Sequence, residues 1–170
     1  MNHATRRYTS PLFAALFLVA SSDASACRRA PPDQLIDADQ QLAQAHDVVL
    51  ATVVVRAPAP TGETPIDFAV VQRLAGATTG NFVLTGTLLG DEPRVNHADP
   101  AFWTRGGGRA MNGADCIIHP MFVMGATYLI FRDGPVTRRS YERVGVDVFG
   151  RPDPSDKWLA YVVEGLRTRP

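Results

Sequence analysis

Lysine is almost absent from this chain: Lys157 is the only one among 17 basic residues, which 17 acidic residues balance. Without a lysine cluster or a basic stripe there is no surface to neutralise a run of phosphates, which argues against nucleic acid as a partner. Long apolar runs are scarce as well. Residues 11–20 form one, too short to span a bilayer as a helix, and no later stretch is long enough to be a transmembrane segment. Catalytic signatures are missing too. There is no His-Glu-x-x-His run and no serine in a nucleophile elbow, and Gly106-Gly107-Gly108 lacks the strand-to-helix setting of a phosphate-cradling loop. Cysteine is limited to Cys27 and Cys116, enough for one disulfide.

What is present begins with an export signal. Arg6 and Arg7 precede the apolar run, and Ser21, Ser22 and Asp23 lead to Ala24-Ser25-Ala26, which has small residues at the two positions that signal peptidase reads. Residues 1–26 are therefore expected to be a signal peptide, with a secreted or periplasmic mature chain starting at Cys27. Losing Arg6, Arg7 and Asp23 leaves 15 basic and 16 acidic residues, so the mature protein is nearly neutral. Its length suits one domain, residues 27–170, with a hydrophobic core of its own. In an oxidising compartment Cys27 and Cys116 are expected to pair, closing a loop that constrains the unfolded chain by roughly 4 kcal/mol. The competing expectation makes Cys27 a lipid-anchored cysteine behind an Ala24-Ser25-Ala26 lipobox. The two exclude each other, because a thioether-linked lipid leaves no thiol for Cys116.

Along the mature chain, Pro31-Pro32 and the spacing of Leu35, Ile36, Ala38, Leu42, Ala43 and Ala45 predict a helix over 32–45. The β-branched run 47–56, the alternating stretches 66–74 and 141–149, the stretch 81–89 with Phe82, Leu84 and Leu88, and the compact apolar run in 127–132 predict five strands. Asp153-Pro154-Ser155 opens a terminal helix carrying Trp158, Leu159, Tyr161, Val162 and Leu166 on one face. Residues 90–115 hold two prolines and five glycines and read as a long irregular loop. The fold class is mainly β (α+β). The expected form is a small five-stranded antiparallel barrel of the oligonucleotide/oligosaccharide-binding (OB) type, or a related sandwich, with an N-terminal and a C-terminal helix.

Cys27, then Pro31-Pro32, a helix, and Asp47-Val48-Val49 opening a valine-rich strand resemble the start of the netrin-like module of tissue inhibitors of metalloproteinases and bacterial proteins similar to them. Phe68-Ala69-Val70 running to Leu74-Ala75-Gly76 matches further on. So does Cys116 followed by Phe122, Gly125 and Tyr128-Leu129-Ile130-Phe131. The resemblance spans residues 27–131 and implies a five-stranded barrel and a Cys27–Cys116 bond. It also implies a partner, an extracytoplasmic metalloprotease. In the animal inhibitors the free amine and carbonyl of the first cysteine chelate the protease zinc, and the next side chain enters the adjoining pocket. Those positions are Cys27 and Arg28 here, and Arg29 stands where the family has a second cysteine.

Two other groups are candidates. Phe102 and Trp103 beside Arg105 and Arg109 have the composition of a binding hot spot, and equally of an anchor holding the loop to the barrel. His97, Asp99 and His119 form a conceivable two-histidine, one-carboxylate metal site if loop 90–115 folds back, which would make the protein a metal-dependent hydrolase; solvated loop histidines are the competing reading. The expectation taken forward is a non-catalytic binding protein with no cofactor.

Overall fold

A computed structural model describes residues 27, 29–54, 63–91, 95–147, 149 and 151–169. The signal reading of residues 1–26 and the role suggested for Arg28 fall outside the described residues.

The order of elements is a 3-10 turn Pro32–Leu35, α1 (Ala38–Gln44), β1 (Val48–Val54), β2 (Thr64–Ala75), β3 (Phe82–Leu89), α2 (Pro100–Trp103), β4 (Met111–Asn112), β5 (Ile118–His119), β6 (Met121–Val123), β7 (Thr127–Phe131), β8 (Tyr141–Arg143) and α3 (Lys157–Arg167). The chain is mainly β. Six strands form one sheet in the order β6-β3-β2-β1-β7-β8, and β4 and β5 pair as a separate ribbon. All pairings are antiparallel except β3 with β6.

The sheet is forced to curl by one short connection. β6 and β7 are joined by residues 124–126 alone, yet stand four places apart in the order. A flat sheet would separate them by about 19 Å, and the connection reaches about 14 Å at most. It lies across the end of β1, where Val53 N–H donates to Ala126 O at 3.0 Å and Gly125 N–H to Val53 O at 3.1 Å. The result is a half-barrel with two buried faces.

Both faces of the central strands are covered, which is why β1 and β7 read as continuous apolar runs rather than alternating ones. Val49, Ala51, Val53, Tyr128 and Ile130 point into the curl with Phe68 and Phe122. Val48, Leu50, Leu129 and Phe131 face outward, under Leu42 of α1 and Trp158, Leu159 and Val162 of α3.

The first predicted helix is split. Ile36 and Asp37 are extended, and Asp37 begins α1 with a capping box in which its carboxylate accepts from Gln40 N–H and the Gln40 side chain accepts from Asp37 N–H. The terminal helix starts later than Asp153-Pro154-Ser155 suggests. Asp156 is its cap, accepting from Trp158 N–H at 3.0 Å and Leu159 N–H at 3.1 Å. The predicted strand 141–149 ends at Arg143, where Gly145 N–H turns aside to the Asp156 carboxylate. Loop 90–115 contains α2 and β4, two elements its composition did not announce.

No described helix is long and apolar enough to cross a membrane.

Candidate functional site

The two cysteines meet. Cys27 and Cys116 form a disulfide with Cα atoms 5.0 Å apart across 89 residues of sequence. Cys116 lies at the tip of the β4–β5 ribbon, a tight reversal closed by Gly113 N–H to Ile117 O at 2.8 Å and by Ile117 N–H to the Asp115 carboxylate at 3.0 Å. Its φ of 64° is left-handed, a conformation that costs a residue with a Cβ about 1 kcal/mol or more. The surroundings hold it there. Besides the disulfide, its carbonyl accepts from Gln34 Nε2 at 2.9 Å and Asn112 Nδ2 at 3.1 Å. The 3-10 turn after Cys27 is thereby fastened to the ribbon at two points.

Asp115 and Ile117, the neighbours of Cys116, line a cleft of about 820 Å³. Asp33, Glu63 and Asp115 bring carboxylates to it; Leu84, Ile118, Val136 and Tyr141 give it apolar wall; among the described residues no lysine or arginine lines it. His119 spans two of the acids. Its Nε2 lies 2.9 Å from Asp115 and its Nδ1 is bonded to Glu63. The bond to Asp115, then that to Glu63, raises the His119 pKa above its ordinary value, and the imidazole in turn holds the Asp115 carboxyl below the usual range. Ile117, 60% exposed, stands at the lip. The cleft can therefore receive a polar or cationic group between apolar walls, at the spot where the disulfide pins Cys27.

His97 is not a solvated loop histidine. It is 6% exposed, with Nδ1 2.8 Å from Asp156 and Nε2 3.5 Å from the fully buried Glu142. Glu142 also accepts from Arg109 N–H at 2.8 Å. Desolvation alone would depress the His97 pKa, but the hydrogen bonds its ring donates to the Asp156 and Glu142 carboxylates outweigh it and lift the value to about 9. A histidine whose folded pKa exceeds its ordinary 6.5 stabilises the fold fully below about pH 6.5, and the stabilisation is lost as pH rises through about 9. The size is on the order of 3 kcal/mol. Denaturant unfolding at about pH 6 and about pH 10 is expected to show this loss in the native protein and not in His97→Gln. An equal loss in both would assign the pH dependence to other groups.

The three candidate metal ligands are not brought together. His97 is enclosed by Asp156 and Glu142, Asp99 caps α2 by accepting from Ala101 N–H at 2.9 Å, and His119 lies between Asp115 and Glu63. No three histidine, cysteine, aspartate or glutamate side chains among the described residues are placed to hold a metal ion.

Phe102 is 3% exposed and packs edge-on against Trp158 and Trp103. Trp103 in turn contacts Trp158 and Tyr161, and its indole N–H donates to His97 O at 2.9 Å. Both aromatics fasten the loop to α3. Arg109 is also turned inward, its guanidinium donating to Tyr141 O and Met121 O and lying 5.0 Å over the Tyr128 ring. Arg105 is exposed. The glycine run 106–108 serves close packing: a Cβ on Gly107 would fall 2.1 Å from Phe102 O and one on Gly108 2.5 Å from the Arg138 backbone.

Glu63 and Asp115 as partners of His119, and the buried Glu142 and Arg139, went unread in the sequence. One signal existed for Glu142. It shares strand parity with Val144, the inward-facing position of the predicted strand.

Comparison with protein-family models, with curated proteins and with solved structures finds no match.

Proposed function

We propose that this protein is an exported, non-catalytic binding module of the netrin-like type, with its partner contact at the disulfide edge. The observation that carries the proposal is the bond from Cys27 to Cys116, whose neighbours Asp115 and Ile117 line the acidic cleft; with cleavage after Ala26 that bond would hold the first residue of the mature chain beside it. A five-stranded barrel is favoured by the three-residue link from β6 to β7, which draws the two ends of the run β6-β3-β2-β1-β7 toward each other. The buried ionisable groups favour binding over chemistry. His97, Glu142 and Asp156 are engaged with one another and with the backbone, so none of them faces a substrate.

The partner best fitted to this edge is an extracytoplasmic protein, and a metalloprotease is the specific candidate. Cleavage after Ala26 would leave an unacylated α-amine on Cys27, with an ordinary pKa near 8, so that part of it is neutral and able to ligate the protease's zinc at neutral pH. The disulfide would hold that amine and the Cys27 carbonyl in one place.

Adding one residue before Cys27 is expected to abolish inhibition of a metalloprotease, because it removes the amine from the chelating position. Unchanged potency would rule that mechanism out. Metal analysis of the purified mature protein separates binding from hydrolysis: stoichiometric zinc, lost on replacing His97 and His119 by Ala, would overturn the binding-module proposal.

A further inference from the structure

A second concavity lies away from the disulfide edge. α3 rests near the exposed side of β2, and between them runs a groove of about 660 Å³ with Val71, Leu159, Ala160 and Val163 in its walls. It adjoins a smaller hollow of about 210 Å³ that contains Leu74, Leu166 and Arg73, and the two share Gln72, Val163 and Arg167. Val71 is 48% exposed, so a large apolar side chain of the strand is left open to water at this point.

A concavity of about 300–1,000 Å³ with apolar walls and a few charged groups has the form of a small-molecule site. The charges select the class of occupant. Arg73, Arg151 and Arg167 line the groove and hollow against a single carboxylate, Glu164. The excess is positive, the reverse of the acidic cleft. Arg151 is engaged by Asp147 at 2.8 Å, whereas Arg73 and Arg167 flank the same hollow. Arg167 reaches Glu164 at 3.0 Å, but both side chains are mostly exposed and such a pair contributes about 1 kcal/mol or less, so the guanidinium is free to turn toward a stronger acceptor. An arginine can meet a carboxylate through two parallel hydrogen bonds.

We propose that this groove binds a fatty acid, its acyl chain lying along α3 against Val71, Ala160 and Val163 and its carboxylate meeting Arg73 and Arg167. The apolar walls require a hydrocarbon body, and the arginine excess favours an anionic head over a neutral or cationic one. The site is separate from the disulfide edge and stands or falls independently of the partner proposed there.

Fluorescence titration of the mature protein with dansylated undecanoic acid, below its micelle concentration, tests this directly. The probe is expected to brighten on binding and to be displaced by dodecanoate, with dodecyltrimethylammonium weaker by about tenfold or more. Ala160→Trp, a surface substitution that fills the groove, should abolish binding. The double variant Arg73→Gln/Arg167→Gln should weaken dodecanoate about tenfold while leaving dodecanol unchanged. Absence of probe binding, equal displacement by the carboxylate and the ammonium, or full affinity in Ala160→Trp would each overturn the proposal.

Discussion

Arg139→Met is expected to destabilise the domain by about 3–5 kcal/mol, the usual cost of removing one partner from a buried charge network. Arg139 has no exposed surface, yet its guanidinium is the common donor for a set of loop carbonyls. One terminal nitrogen donates to Phe102 O at 3.0 Å, Thr104 O at 2.9 Å and Gly107 O at 3.2 Å, and the other to Ile36 O at 2.8 Å. A methionine of similar length fills the volume and satisfies none of them, and it removes one of the positive charges near the buried Glu142, leaving that of His97. Arg139→Lys recovers little, because an ammonium cannot reproduce the planar fork that reaches carbonyls on two segments. The check is urea unfolding. The midpoint should fall by more than about 1 M, given a slope of about 1–3 kcal/mol per molar. A shift below about 0.3 M would show that loop 95–110 holds itself in place without Arg139.

Removing the disulfide should have an effect of comparable size by a different route. Cys27→Ser opens a loop of 89 residues, for which chain entropy gives roughly 4–5 kcal/mol of lost stability. The companion change at position 116 separates two contributions. Cys116 has a φ of 64°, so with Cys27→Ser already in place Cys116→Gly should be more stable than Cys116→Ala by about 1 kcal/mol. Equal stability of the two would mean that the ribbon tip relaxes once the bond is gone, and that the disulfide imposes the left-handed turn.

The sheet was legible where apolar residues follow a period or a run. The stretches around Val48–Val54, Thr64–Ala75, Phe82–Leu89 and Thr127–Phe131 are strands within a residue or two of their predicted bounds. The six-stranded half-barrel was not fully legible, because β6 is only Met121-Phe122-Val123 between Pro120 and Gly125, and its pairing partner β3 lies over thirty residues earlier. Local pattern carries no information about such a pairing. The split of the first helix was hidden for the opposite reason: the apolar spacing of 32–45 continues through Ile36 and Asp37, and only the capping box of Asp37 with Gln40 interrupts it.

The candidate site was read in part. Two cysteines permit one bond, so the edge at Cys27 and Cys116 could be anticipated from composition. The cleft beside it could not, since Glu63, Asp115 and His119 come from two distant stretches and meet only when the ribbon closes on the start of β2. Phe102 and Trp103 show a limit of composition as a guide. Aromatics beside arginine suit an interface or an anchor equally, and burial against Trp158 decides for the anchor. His97 misled in the same way, because a histidine in a glycine-rich loop gives no hint that Glu142 and Asp156 enclose it from two other elements.

The central proposal is that the exported chain begins at an unmodified Cys27 bonded to Cys116, and intact mass of the exported protein with and without reductant tests it most directly. The expected mass is that of residues 27–170, rising on reduction by one hydrogen per cysteine. A mass that retains residues 1–26, one that carries a diacylglycerol on Cys27, or one unchanged by reductant would contradict it.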